Sequence, residues 1–397
     1  MSQSNQLLQI ETLTPVHVGS GRNLRGNFDY AHFVAENQIG MLDERKIFDL
    51  LGRDQLTTWL AMIEKGEDII PYLRKRKEGL QAADVSRRIA SLSGKAPGLQ
   101  SELREQIHLG AKQHPALPGS SLKGAIKTAV LATLIRNDPA FVQIESNLSV
   151  MGRRGKEIKD QKILANYLNQ RENRNRNGDL EPSPNEDTFR FLRISDAYFG
   201  KTCVMPALMY NMLRSGWQAD EKRSPFVECI PKGQMAQTRM QFPKDHIQLV
   251  ERKGYMSKNL RFVQDLPYLF QTINKHTAHL LQSEIDFWKE ERADYTPLEA
   301  YIERLEELLS QVNTAKPDTC ILRLGYGSGW ESMTGRWAKD KDAFGDFILE
   351  EKLWFAVTAA SRPNDAKYSS DTPFPKTRKT GGGVEPMGFV KISVLQD

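Results

Sequence analysis

The sequence predicts an α+β fold, because strand patterns stand at both ends of the chain and helical patterns fill much of its middle. β-branched and other apolar residues predict strands over residues 6–18, 189–197 and 387–394. Apolar residues recur at helical spacing within residues 43–110 and 269–312. The length of 397 residues suits about two domains of ordinary size.

The composition is typical of a globular protein, with 39% hydrophobic and 26% charged residues. No apolar run approaches the ~20 residues that a membrane-spanning helix needs, and the N-terminus lacks an apolar signal core. The three cysteines are far apart and show no Cys-x-x-Cys spacing. We therefore expect a cytoplasmic protein without a membrane partner, a metal or a cofactor. The net charge of +5 permits a polyanionic partner without requiring one.

The first predicted strand, residues 6–18, runs into the sequence Gly19-Ser20-Gly21-Arg22. We predict a flexible turn there, whose backbone N–H groups could meet an anion. His17, at the end of the strand, is either a structural histidine or a contact residue. Residues 23–40 are compatible with a hairpin.

Helical spacing from Asp43 to about Gly110 separates this first strand from the next core element. We predict a helical insertion over about residues 43–112. Its residues 72–77 form the densest basic run in the chain, which is either a solvated helix face or a nucleic-acid contact.

Residues 117–130 predict a turn that opens a helix. Pro118 and Gly119 break the preceding structure, and Ser120 or Ser121 could cap the first helical turn. A helix N-terminus with unpaired N–H groups attracts anions. This stretch is therefore a candidate phosphate contact.

The helix that follows, about residues 121–137, has one apolar stripe and one basic face. Lys123 and Lys127 lie one turn apart and away from the stripe. A P-loop is excluded, because Lys127 comes two residues too late after the second glycine. The stripe consists of Leu122, Ile126, Val130 and Leu134, with Ala125 and Ala129 beside them.

The second half of the chain alternates loops, strands and helices. Asparagine and arginine interleave within residues 152–187, which suits either phosphate contact or a disordered loop. Nine acidic residues stand against three basic ones within residues 284–307, so this stretch is a solvated face or a protein-docking surface. In order, we predict a strand over 189–197, a hairpin of 227–230 with 237–242, helices over 269–288 and 298–312, a glycine-rich loop at 325–329, a polar loop over 361–383 and a strand over 387–394.

Catalytic patterns are sparse. The glycine loop at 325–329 departs from the dinucleotide pattern G-x-G-x-x-G, and His276 with His279 lacks further metal ligands. Asp29 is either a turn residue or the carboxylate of a metal-dependent ribonuclease, and a histidine such as His17 could serve a metal-free one. The glycine loops, the basic helix and the strands with aromatic residues and arginine instead favour RNA binding.

The set of motifs resembles the RAMP (repeat-associated mysterious protein) superfamily of CRISPR effectors. Leu117-Pro-Gly-Ser-Ser-Leu-Lys-Gly-Ala-Ile-Lys-Thr128 resembles the helix-opening motif of that superfamily. Leu13-Thr-Pro-Val-His-Val-Gly-Ser-Gly21 resembles its first strand and glycine turn, Phe191–Ala197 a core strand, and Leu324–Trp330 its glycine-rich loop. Motif order and chain length point to the family of fifth subunits of type III-A (Csm) effector complexes.

The resemblance implies two ferredoxin-like (RRM-like) domains, residues 1–198 with the helical insertion and residues 199–397. It implies a non-catalytic subunit that binds the 3′ region of the crRNA beside the backbone RAMP subunit and the small helical subunit. It also implies a role in crRNA maturation and complex assembly in antiviral defence, through recruited host nucleases. The backbone subunit cuts target RNA with an aspartate of its first-strand loop, but Asp29 stands in a differently built loop and does not inherit that role.

From these patterns we predict RNA contacts in four segments. The predicted residues are His17, Gly19, Ser20, Gly21, Arg22, Gly119, Ser120, Ser121, Lys123, Lys127, Gly325, Gly327, Gly329, Arg378 and Lys379.

Overall fold

The computed structural model describes residues 5–138, 167–168, 176, 185–213, 216–253, 259–291, 296–329, 332 and 377–395. The fold is α+β, as predicted. The strands are β1 Asn5–Thr12, β2 Gly19–Arg25, β3 Tyr30–Phe33, β4 Gln38–Leu42, β5 Ser86–Leu92, β6 Glu102–Gln106, β7 His108–Leu109, β8 His114–Leu117, β9 Arg193–Ile194, β10 Ala197–Tyr198, β11 Cys203–Leu213, β12 Gly216–Ala219, β13 Phe226–Cys229, β14 Met235–Gln241, β15 Thr319–Arg323, β16 Thr377–Gly381 and β17 Phe389–Val394. The helices are α1 Glu44–Leu51, α2 Leu56–Lys65, α3 Ile70–Arg74, α4 Ala82–Val85, α5 Gly119–Arg136, α6 Lys244–Arg252, α7 Leu266–Glu291 and α8 Thr296–Asn313.

An antiparallel sheet of five strands in the order β15-β17-β1-β14-β9 joins the two ends of the chain. Leu8 in β1 stands opposite Thr238 of β14 and Val394 of β17. The predicted first and last strands are therefore confirmed, and they pair with each other in this sheet. β1 ends at Thr12 rather than residue 18, because Pro15 cannot donate to a ladder and pairing resumes only as a single bridge at Val16.

The larger sheet has the order β2-β6-β13-β11-β5-β4-β3, and β12 and β16 also pair with β11. The predicted hairpin of residues 227–230 with 237–242 is wrong. β13 belongs to this larger sheet and β14 to the five-stranded one, so the intervening turn connects two sheets.

Both sheets combine strands from before and after residue 198. β1 pairs with β14 and β17, and β5 pairs with β11. The predicted boundary after residue 198 is thus not a boundary between sheets. The two ferredoxin-like units remain a prediction.

The insertion after the first strands is helical only as far as Val85. Asp43 caps α1 by accepting hydrogen bonds from the N–H groups of Arg45 and Lys46, and α1 to α4 share a small core around Trp59 and Leu73. From there to residue 112 the helical prediction is wrong. β5 begins at Ser86 and its burial alternates, which is the period of a strand rather than a helix.

Helices α5 and α7 contribute to the core of the five-stranded sheet. Leu122, Ile126 and Val130 of α5 are fully buried together with Leu8 and Ile10 of β1. The predicted apolar stripe is therefore confirmed. It attaches α5 to the sheet because burial of each such side chain stabilises the fold by roughly 1.5–3 kcal/mol.

Helix α7 also closes the outer edge of β15. The side-chain amide of Asn274 donates to Thr319 O and its oxygen accepts from Ile321 N, each at 2.9 Å. Thr277 adds a hydrogen bond to Ile321 O at 2.7 Å. These side chains replace the missing neighbour strand, so the edge is not free to pair with another chain.

Two further predictions fail locally. The predicted strand over 189–197 begins with a 3-10 turn at Thr188–Phe191, which Asp187 caps by accepting from Phe189 N, and only then forms β9 and β10. Residues 377–381 of the predicted polar loop form β16, which pairs with β11. Most of the predicted loops over 152–187 and 361–383, as well as Trp330, lie outside the described residues.

Candidate nucleic-acid interface

A tyrosine with two cations on its ring stands where β6, β16 and the loop after β15 meet. The guanidinium carbon of Arg104 lies 4.7 Å from the ring centroid of Tyr326, and Lys379 Nζ lies 4.4 Å from it. Both distances are typical of cation–π contacts. We call Arg104, Tyr326 and Lys379 the Tyr326 cluster.

The positive charge of this cluster is not neutralised within the described part of the chain. Neither Arg104 nor Lys379 forms an ion pair with any carboxylate of the described residues. Arg104 is exposed and Lys379 is half-buried. Two adjacent cations without a counter-charge favour an anionic ligand.

Alternation along β16 directs Lys379 to this cluster. Arg378, predicted to contact RNA, is instead only 7% exposed and its Nε donates to Glu284 Oε1 at 2.8 Å. Glu284 also accepts from the indole N–H of Trp288 at 2.9 Å. The ion pair with Glu284 neutralises Arg378 inside the protein, and the RNA contact of Arg378 remains a prediction that this pairing disfavours. Its neighbour Lys379 must point to the other face of the strand.

The glycine-rich loop after β15 has three glycines in the left-handed backbone conformation. Gly325, Gly327 and Gly329 all have φ between +75° and +82°. A Cβ on Gly325 would lie 2.4 Å from His17 O, so the loop packs directly on the segment between β1 and β2. Tyr326 N donates to the same His17 O at 2.8 Å. These contacts fix the position of the Tyr326 ring.

Arg323 connects this loop to the segment before β17 by hydrogen bonds. Its Nε donates to Met387 O at 3.1 Å and its Nη2 to Gly327 O at 3.3 Å. The last strand and the glycine loop are thereby held as one unit.

His17 is a structural residue, which was one of the two open interpretations. Its side chain is 2% exposed, and Nδ1 donates to Glu228 O at 2.5 Å. Its ring lies 5.6 Å from that of Tyr326 in an edge-on contact. Burial lowers the pKa of His17 below its ordinary value. The imidazole therefore supports the cluster from inside, and an RNA contact of His17 remains a prediction that its burial disfavours.

Lowering the pH from 7.5 to 5.5 is expected to reduce the free energy of unfolding. Burial lowers the pKa of both His17 and His108 in the folded protein. Below about pH 6.5 the unfolded chain therefore takes up more protons at these two histidines than the folded chain does, and the free energy of unfolding falls as the pH is lowered. Urea titrations at several pH values measure this slope. His17→Asn, which keeps a donor for Glu228 O, should flatten it, and an unchanged slope would contradict this account.

The segment Gly19–Arg22 is a bulged edge strand, so the prediction of a flexible turn is wrong. β2 pairs Gly19 with Gln106 and Asn23 with Arg104, which leaves two extra residues on β2. Gly21 occupies this bulge with φ +88°. Ser20, Gly21 and Arg22 are exposed, and their contact with RNA remains a prediction.

A buried ionic network lies beneath the bulge. Ser20 Oγ donates to Glu105 at 2.8 Å, and Arg22 lies 3.9 Å from the same carboxylate. Arg88 Nη2 bridges Glu105 at 2.8 Å and Glu228 at 3.0 Å. Burial raises the pKa of the Glu105 carboxyl, but the hydrogen bonds from Arg88 and Ser20 outweigh it and leave the pKa below its usual value. The network gives β2, β5, β6 and β13 fixed relative positions.

The predicted serine cap of α5 is wrong. Pro118 is the residue before the helix, and no side chain of Ser120 or Ser121 caps it. Instead Gly119 N donates to Asp196 Oδ1 at 2.8 Å. Gly119 is buried, and a Cβ there would lie 2.0 Å from Ile194 O. The glycine is thus needed for close packing, and an internal carboxylate occupies the expected anion position.

The two lysines of α5 differ in their surroundings. Lys127 forms an ion pair with Asp187. Lys123 is half-buried, and burial lowers its pKa, with Lys127 and Arg193 acting in the same direction. Lys127 is thereby partly neutralised, and RNA contacts of Ser120, Ser121 and both lysines remain predictions.

Asp29 belongs to its own turn. Its carboxylate accepts from Arg25 N at 2.8 Å and lies 3.8 Å from Arg25 Nε. Among the described residues, no group of three or more histidine, cysteine, aspartate or glutamate side chains is placed to hold a metal ion. The turn interpretation of Asp29 thus accounts for its contacts.

Sequence reasoning missed Arg104 and Arg88. Both lie in segments whose sequence predicts helix, and a helical prediction gives no strand pairing. Charged and apolar residues alternate only over 102–104, which is too short a signal to predict a strand. Tyr326 lies within the glycine-rich motif, but the motif itself predicts only its glycines as site residues.

Comparison with known proteins identifies the class of this fold. Residues 9–332 match the RAMP superfamily, and the chain belongs to it. It is 21% identical to "CRISPR system Cms protein Csm5" of Methanocaldococcus jannaschii, over 98% of this chain and 89% of that protein.

Two solved structures resemble the fold over nearly the whole chain. One is a chain of the cryo-EM structure of a Csm-crRNA-target RNA ternary complex in a type III-A CRISPR-Cas system, with a TM-score of 0.67 and 20% identity. The other is the crystal structure of T. onnurineus Csm5, with a TM-score of 0.65 and 20% identity. Each match covers 98% of this chain and 100% of the other chain. In the described ranges, no helix is both long and apolar enough to cross a membrane.

Proposed function

We propose that this chain is a non-catalytic RNA-binding subunit of a type III-A CRISPR effector complex. It caps the 3′ region of the crRNA, and supports crRNA maturation and complex assembly in antiviral defence. Membership of the RAMP superfamily and the likeness to Csm5 proteins support this proposal. The observation that carries it is the Tyr326 cluster, because two uncompensated cations beside a glycine-rich loop suit an RNA backbone.

The proposed partners follow from the same likeness. A relative of this fold occurs in a complex with crRNA and target RNA. We expect the backbone RAMP subunit and the small helical subunit as neighbours in the cytoplasm.

The acidic face of α7 and α8 is a proposed protein-docking surface, with recruited host nucleases as candidate partners. Ion pairs neutralise part of the negative charge of this face, since Lys289 pairs with Glu306 and Arg304 with Glu307. The acidic groups that remain exposed disfavour RNA on this side.

Arg104→Ala combined with Lys379→Ala is expected to weaken crRNA binding. Removing two phosphate contacts to a single strand should flatten the dependence of log K on log salt concentration by about 1.4 units. Filter binding or fluorescence anisotropy at three or more salt concentrations measures both effects. The matched control is Arg252→Ala combined with Lys316→Ala, since both side chains are exposed and neither lies in the Tyr326 cluster.

Equal affinity and equal salt slope in both double variants would contradict an RNA contact at the Tyr326 cluster. Incubation of the purified protein with repeat RNA, with and without divalent metal, tests the ribonuclease alternative. Cleavage that disappears in Asp29→Ala or His17→Ala would overturn the non-catalytic assignment. The burial of His17 and the internal hydrogen bonds of Asp29 disfavour that outcome.

A further inference from the structure

The ring of Tyr326 is already covered by protein groups. Arg104 and Lys379 lie 4.7 Å and 4.4 Å from its centroid, and His17 meets it edge-on. A nucleobase that stacked on this ring would need its own ring centroid about 4.5–7 Å away. It would therefore have to displace a cation that the ring attracts.

The described residues offer no exposed aromatic side chain in this cluster for stacking. Tyr198, which is 46% exposed, is not part of this cluster, since it lies on β10 against Gly110. The groups that the cluster does present are cationic donors. Phosphate oxygens, which only accept hydrogen bonds, match these donors.

The hydroxyl of Tyr326 is buried and has no hydrogen-bond partner among the described residues. The ring therefore does not owe its position to that hydroxyl. Its backbone N–H on His17 O and the packing of Gly325 hold it instead. The ring therefore binds two cationic side chains, those of Arg104 and Lys379, through cation–π contacts.

Resting on the proposed function, we infer that the Tyr326 cluster binds a backbone phosphate of single-stranded RNA and does not stack on a base. Arg104 and Lys379 contact the phosphate, and Tyr326 is a positioning residue that holds both cations side by side. Recognition at this point is independent of RNA sequence, because every nucleotide carries the same phosphate.

The test uses the full-length protein and guide RNAs that carry one altered nucleotide at successive positions. A methylphosphonate removes the phosphate charge, and an abasic nucleotide removes the base. At one or two adjacent positions, the methylphosphonate should weaken binding about tenfold or more, since hydrogen bonds to charged groups are strong. Abasic nucleotides at those positions should change the affinity less than twofold. The effect of the methylphosphonate should vanish in the Arg104→Ala and Lys379→Ala double variant.

Two variants of Tyr326 separate positioning from folding. Tyr326→Phe keeps the ring and should preserve the methylphosphonate effect, whereas Tyr326→Leu should abolish it with both cations still present. Sensitivity to abasic nucleotides instead of methylphosphonates would overturn the inference in favour of stacking. RNA binding that is insensitive to every cluster variant would overturn the inference alone, and absence of RNA binding would overturn the proposed function with it.

Discussion

Replacement of Arg88 by alanine is expected to lower the free energy of unfolding by about 3–5 kcal/mol, because it leaves the buried carboxylate of Glu228 without its arginine partner and removes the closest cation of Glu105. Arg88 donates to Glu228 through Nε at 3.2 Å and Nη2 at 3.0 Å, and to Glu105 at 2.8 Å. Glu228 is fully buried and Glu105 is 6% exposed. The carboxylate of Glu228 cannot recover water unless the sheet opens.

Urea unfolding at pH 7 measures this change. The matched control is Arg87→Ala, whose side chain is 41% exposed and lies 3.7 Å from Glu105. That exposed pair should contribute less than about 1 kcal/mol. Adding Glu228→Gln to Arg88→Ala should recover part of the loss, since it removes one unpaired charge. Similar losses for Arg87→Ala and Arg88→Ala would contradict the assignment of the network to Arg88.

Gly325→Ala is expected to weaken RNA binding strongly although it changes no charge. A methyl group at this position would lie 2.4 Å from His17 O, and φ is +82°. The left-handed backbone alone costs about 1–2 kcal/mol for alanine. The clash must in addition displace the loop, so that Tyr326 moves away from Arg104 on β6 and Lys379 on β16. RNA affinity and the free energy of unfolding should both fall.

Gly329→Ala is the matched control for this loop. Gly329 has φ +75°, but a Cβ there would meet no atom within 4 Å among the described residues. The variant should therefore show the backbone cost without the displacement of Tyr326, and a smaller loss of affinity than Gly325→Ala. Equal losses would indicate that backbone strain, rather than contact with His17, determines the loop position.

Local patterns allowed the elements of the core to be predicted from sequence. The stripe of Leu122, Ile126 and Val130 identified α5, and the β-branched ending of the chain identified β17. Both signals come from residues a few positions apart, which is the range over which periodicity is readable. The motif resemblance also led to the RAMP superfamily correctly.

Pairings between distant residues could not be predicted in this way. The partner of Gly119 N is Asp196, and the partner of Arg378 is Glu284, which lies 94 positions away in the sequence. Asp196 and Glu284 show no unusual local sequence pattern. The residues near Gly119 or Arg378 in the sequence therefore do not reveal that the Gly119 N–H and the Arg378 guanidinium have hydrogen-bond partners. The hairpin predicted for β13 and β14 failed for the same reason, since strand neighbours are chosen over long distances.

The most direct test of the proposed RNA contact is a cryo-EM structure of the assembled complex that contains this chain and its crRNA. The decisive measurement is the distance from Arg104 and Lys379 to the nearest RNA phosphate. We predict that phosphate oxygens lie within hydrogen-bonding distance, about 3 Å, of both cations. A guide that passes elsewhere and leaves both cations without RNA contact would contradict the account.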